Sequence, residues 1–234
     1  MNTEFQSVSA TRGNVASIFM SHVYQWMTAG IGLTALTAWG VASSPALTSM
    51  ILGNSLIMIA LIVAQFGLVI ALGAAIHKFS AATATGLFLL YAALTGVTLS
   101  SIFIVYPVGS IATAFTCTAG TFLAMSIYGT VTKRDLTSMG SFLTMGLFGL
   151  IIASLINIFL RNSVMDLVIS CVGVLVFTGL TAYDTQKIRR FGADAPLDDA
   201  TAIRRGAILG ALELYLDFIN LFLMLLRLFG GNRD

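Results

Sequence analysis

Three acidic residues of this chain stand where acids are expensive: Asp184, Glu213 and Asp217. Glu213 and Asp217 fall four apart in LELYLDFINLFLMLL, residues 212–226. That spacing puts both on one face of a helix. Asn220 extends the face at i+7, and Met224 and Arg227 continue the stripe. Asp184 lies upstream, in GLTAYDTQKIRR. In an apolar setting, carboxylates mark ion routes, proton relays or cation sites. Two that approach closely cannot both ionise cheaply, so the pair would share a proton and titrate as a unit. Protonation would allow a short contact, while ionisation would drive the helices apart or recruit a cation. Calcium suits carboxylate oxygens.

The elements that carry these acids must then be apolar, and the composition says they are. Of 234 residues, 57% are hydrophobic and 9% charged, against roughly 25% charged in a soluble domain. A polytopic membrane protein is the class that fits. A net charge of +2 gives no footprint for nucleic acid, and no nucleic-acid partner is expected. The polar N-terminal segment runs into an apolar stretch too long for a signal peptide, so no cleaved presequence is expected. Cys117 and Cys171 lie inside apolar spans without a CxxC motif and read as packing residues.

Seven stretches reach the roughly 20 apolar residues a membrane helix needs: about 20–42, 55–76, 82–104, 109–131, 139–160, 164–183 and 206–229. Residues 1–19 read as a cytoplasmic tail and 20–234 as a single transmembrane domain. The cations sort by side. Arg12, Lys78, Lys133, Arg134, Lys187, Arg189, Arg190, Arg204 and Arg205 share one side, and Arg161, Arg227 and Arg233 the other. The positive-inside rule therefore puts the N-terminus in the cytoplasm and the C-terminus across the membrane. Only an odd number of spans gives that split. Glycines recur within the spans, including Gly206 and Gly210 as GxxxG, which suggests close packing around the last helix.

Span 7 reaches Asp217 eleven residues after Gly206, about 16 Å along a helix. Asp217 is then near mid-depth, or shallower if the helix begins earlier in the polar segment. Asp184 falls in the last turn of span 6. A central Asp costs about 2.5–3.5 kcal/mol on insertion scales, so it faces water or the bundle interior. The structural alternative is an Asp hydrogen-bonded to Asn220 or Asn157. Catalysis has no footing: HExxH, GxSxG, P-loop and GxGxxG are all missing from the sequence. Tyr183-Asp184 evokes an aspartyl intramembrane protease, but the second acid lies in LYLDF, without GxGD.

GLTAYDTQKIRR followed by LGALELYLDFINLFLMLLRLFG closely resembles the Bax inhibitor-1 family. VYQWMTAGIGLTALTAW and LYAALTGVTLSSIFIVY resemble its bacterial members. The resemblance implies an all-α fold of seven transmembrane helices, the C-terminal one central and wrapped by the other six. It also implies a pH-sensitive calcium leak, with Asp184 and Asp217 as a proton-shared gate, joined when closed and apart when open. Ca2+ would be the transported ion, touching Asp184 and Asp217, and H+ the regulator, with no tightly bound cofactor. Glu213 and Asn220 would line the path or attract cations. Two features depart from the family pattern. Some relatives carry a basic residue within span 2, where this chain offers only Gln65, with Lys78 at the span's end. Glu213 adds a carboxylate where the family carries small or weakly polar residues. The expected setting is a bacterial inner membrane. The rival reading is a non-conducting regulator of stress or protein quality control that binds other membrane proteins, such as a membrane-bound protease.

Overall fold

Apolar runs punctuated by Ser, Asn, Pro and Gly become helices throughout. The computed structural model describes residues 2–194 and 200–230, and no strand occurs among them. The helices are α1 (Asn2–Ala42), α2 (Pro45–Leu52), α3 (Ser55–Ala75), α4 (Ala81–Leu99), α5 (Ile102–Val105), α6 (Val108–Val131), α7 (Thr137–Leu160), α8 (Ser163–Asp194) and α9 (Ala200–Phe229). Six candidate spans are long and apolar enough to cross a membrane unaided, and α1 with α2 makes a seventh. That is the all-α membrane architecture expected from the sequence.

Local chemistry sets the breaks. The α1–α2 pair bends by 100°, because Ser44 caps α2 through its hydroxyl and Pro45 starts it. Asn54 then caps α3, its side-chain oxygen accepting from the Leu56 and Ile57 amides. The third span is interrupted after Leu99. There the Thr98, Ser100 and Ser101 hydroxyls donate to carbonyls three residues back, competing with the helical ladder. α1 begins at Asn2, so the helix extends back through the segment read as a tail.

Two compact units emerge, Met1–Val105 with Ile188–Tyr215, and Tyr106–Lys187 with Leu216–Asp234. Helices α8 and α9 each contribute to both. In the first unit α4 packs on α1 and α3, and Gly96 lies against the Thr34 carbonyl. Gln65 of α3 is held by the Thr95 and Thr98 hydroxyls of α4. Here the GxxxG does its expected work: a Cβ at Gly206 would meet the Phe191 ring, and one at Gly210 would meet Ile188 and Val23. In the second unit Phe218 of α9 packs edge-on against Phe115 and Phe122 of α6, and Met224 fills the space left by Gly173 of α8. The outer surface is greasy. Phe66, Phe142, Phe148 and Phe159 all stand exposed, as hydrocarbon-facing side chains do and water-facing ones rarely do.

Candidate functional site

Among the described residues, Asp217 is the one acid in the set of buried polar side chains, at 5% exposure. It sits on α9, two-thirds of whose apolar window is buried (67%), the largest share among the six spans that qualify unaided. Its Oδ2 is sealed from solvent. α9 begins at Ala200 rather than Gly206, which places Asp217 roughly 26 Å from the helix start. Along its stripe Glu213 and Asn220 are half-buried, Met224 is buried and Arg227 is exposed. Asn220 turns its amide back to its own helix, donating to the Leu216 carbonyl at 2.8 Å.

Asp184 does not close its helix. The sequence reading placed it in the last turn, but α8 continues to Asp194. Hydropathy sees only the apolar part, while Gln186, Lys187, Arg189 and Arg190 are good helix formers that carry the turn onward. Its carboxylate is 15% exposed and lies 3.6 Å from Lys187 Nζ, one turn ahead. Lys187 is half-exposed, so this pair contributes at most about 1 kcal/mol. Asp184 and Asp217 belong to the same compact unit, and Glu213 to the other.

The turn bearing Asp184 is clamped. Gly129 of α6 lets its helix approach the Ala182 backbone, and Gly140 of α7 accommodates the Tyr183 ring. Gln186 accepts from the Leu136 amide at 3.0 Å and donates to the Arg134 carbonyl at 2.8 Å, tying α8 to the α6–α7 connection. Thr185 is wholly buried. Its hydroxyl and that of Ser126 find no hydrogen-bond partner among the described residues, leaving polar capacity unused inside an apolar bundle. Sequence reasoning missed Gln186 and Thr185, since neither has a charge or a motif. Their one signal was adjacency to an intramembrane acid.

The part of α9 that belongs to the first unit is anchored there. Tyr215 has no exposed surface and stands edge-on to Phe88 and Tyr91, with centroids 5.8 Å away in each case. Its hydroxyl lies 2.7 Å from Thr34 Oγ1. Thr34 gives its own proton to the Ala92 carbonyl, so Tyr215 is the donor. This bond ties α9 to α1 within the first unit.

Two expectations need correcting. Asn157 is not a partner of Asp217: its amide donates to Asp166 Oδ1 at 2.7 Å and to the Asn162 carbonyl. Both amide protons are used locally, at the α7–α8 turn. Cys117 and Cys171 are free thiols on the exposed surface rather than packed, because α6 and α8 turn those faces outward. Among the described residues, no group of three or more His, Cys, Asp or Glu could hold a metal ion.

Residues 16–234 match the family described as inhibitor of apoptosis-promoting Bax1. The chain belongs to the Bax inhibitor-1 family. Inner membrane protein YbhL of Escherichia coli K12 is 53% identical over 215 residues, covering 92% of each chain. An uncharacterized protein of Borreliella burgdorferi is 52% identical over 92% of this chain and 93% of its own. The similarity reaches uncharacterized protein YrjE of Lactococcus lactis, at 36% identity over 95% and 96%. The chain is thus a full-span relative of bacterial Bax inhibitor-1 proteins.

Proposed function

We propose that this Bax inhibitor-1 protein is a pH-sensitive calcium leak channel gated by Asp184 and Asp217 sharing a proton. The observation that carries the reading is a buried aspartate on the most buried of the six spans that qualify unaided, in one compact unit with a second aspartate on α8. Burying a carboxylate in a bundle is costly, so packing alone does not account for it. With one proton between them, the two carboxylates close the path. When both ionise, they repel each other and present oxygens to Ca2+. The unsatisfied hydroxyls of Ser126 and Thr185 offer further oxygens to an ion in transit. Lys187, 3.6 Å from Asp184, is a cation that favours the ionised form of that carboxylate as the gate opens. Asn220 lines the path, and half-buried Glu213, on the same helix, is a cation-attracting group. The role proposed for the chain is conduction rather than catalysis.

The setting is the inner membrane of a bacterium, supported by the 53% identical YbhL, which bears that location in its name. The asymmetry of the cations supports a cytoplasmic N-terminus and an extracytoplasmic C-terminus. The test is reconstitution of the full chain in liposomes loaded with a calcium dye. Calcium uptake well above that of empty liposomes is expected. Uptake equal to empty liposomes overturns the channel and favours a non-conducting regulator that acts through another membrane protein.

A further inference from the structure

Two of the three cations on the sparsely charged side of the chain, Arg161 and Arg227, line one pocket in the second unit. The pocket has a volume of about 400 Å3, within the range of ligand sites. The end of α7 supplies Asn157, Ile158 and Arg161, the start of α8 supplies Ser163 and Asp166, and the last turn of α9 supplies Arg227. Three helix ends meet here, so the pocket lies at the level where a membrane span meets lipid headgroups.

Its walls are built rather than incidental. Arg161 adopts φ 50°, a left-handed conformation, at the C-cap of α7. Glycine or asparagine takes that position most cheaply, and an arginine there costs on the order of 1 kcal/mol. The strain is held by the Arg161 amide donating to the Asn157 carbonyl at 2.7 Å, while the Asn162 amide donates to Asn157 Oδ1. Asp166 is fixed to the wall by the amide of Asn157. Among the described residues, neither Arg161 nor Arg227 forms an ion pair. Two guanidinium groups and one carboxylate leave the pocket with a net charge of +1. Guanidinium forks suit phosphate oxygens.

Apolar surface continues from the pocket. Ile151, Leu155 and Ile158 are all exposed, and their i, i+4, i+7 spacing makes one track along α7. We propose that this pocket binds a phosphate-bearing anion through Arg161 and Arg227. An anionic phospholipid fits it best, its headgroup between the arginines and an acyl chain on the Ile158–Leu155–Ile151 track. Free phosphate shares the headgroup chemistry without the chain.

The test is native mass spectrometry of the full-length protein titrated with phosphatidylglycerol or phosphatidylethanolamine, with and without inorganic phosphate. Wild type retains phosphatidylglycerol in preference to phosphatidylethanolamine. Arg227→Gln and Arg161→Asn, the latter chosen because asparagine tolerates a left-handed backbone, each weaken retention about tenfold. Asp166→Asn keeps an acceptor for Asn157 and strengthens retention, a gain that misfolding cannot produce. Displacement by millimolar inorganic phosphate identifies the soluble anion as the ligand, and no displacement identifies the lipid. Equal phosphatidylglycerol retention in wild type and all three variants, with no phosphate bound by wild type, overturns the proposal.

Discussion

Helices α3 and α9 are both candidate spans, and they solve opposite problems. α3 is the most apolar of them and the least buried, with 6% of its window covered, against 67% for α9. In water this ordering would be reversed. In lipid, hydrocarbon is the solvent, so the greasiest helix can stand outside and gains nothing by moving in. The interior goes to the helix that can pack and hydrogen-bond. α9 brings Gly206 and Gly210 to close approaches, Tyr215 to a buried hydrogen bond and Asp217 to an interior position. Glycines 67 and 73 of α3 have nothing within 4 Å of where a Cβ would stand.

Truncation should expose the contrast most strongly. Tyr215→Ala removes a fully buried ring lodged between Phe88 and Tyr91, and the expected loss is about 3–5 kcal/mol. It would be read from unfolding in detergent micelles. Overpacking comes next. Gly210→Leu drives a side chain into Ile188 and Val23, with an expected loss of about 1–3 kcal/mol, whereas Gly67→Leu should leave the melting temperature in place. Tyr215→Phe is subtler, deleting the bond to Thr34 while Thr34 keeps its bond to Ala92. About 0.6–1.5 kcal/mol should go. Smallest of all, Phe66→Ala on the lipid face of α3 should stay within about 0.5 kcal/mol of wild type. A Phe66→Ala loss matching that of Tyr215→Ala would break the comparison.

The spans were legible because hydropathy measures what lipid selects. Helix length was not, because lipid does not select it: α8 runs eleven residues past its expected end at 183, to Asp194, on residues that favour helix but not hydrocarbon. α2 carried its signals openly, in Ser44, Pro45 and the Gly53–Asn54 pair, but its eight residues are too few to register as a span. Asp217 stood out because an acid in a greasy helix is conspicuous. The Tyr215–Thr34 bond joins residues 181 apart, and the Gln186 clamp spans about fifty. Neither leaves a local pattern. The same holds for the Arg161–Arg227 pocket, whose two cations lie 66 residues apart and in the sequence share only a side of the membrane.

The most direct test of the gate is the pH profile of calcium uptake by liposomes carrying wild type or Asp217→Asn. A shared proton keeps the path closed, so wild-type uptake should rise as pH rises and the pair ionises. Asparagine cannot ionise, so uptake by Asp217→Asn should lose that rise and stay nearly flat. A mutant profile that rises in parallel with wild type would contradict a gate at Asp217.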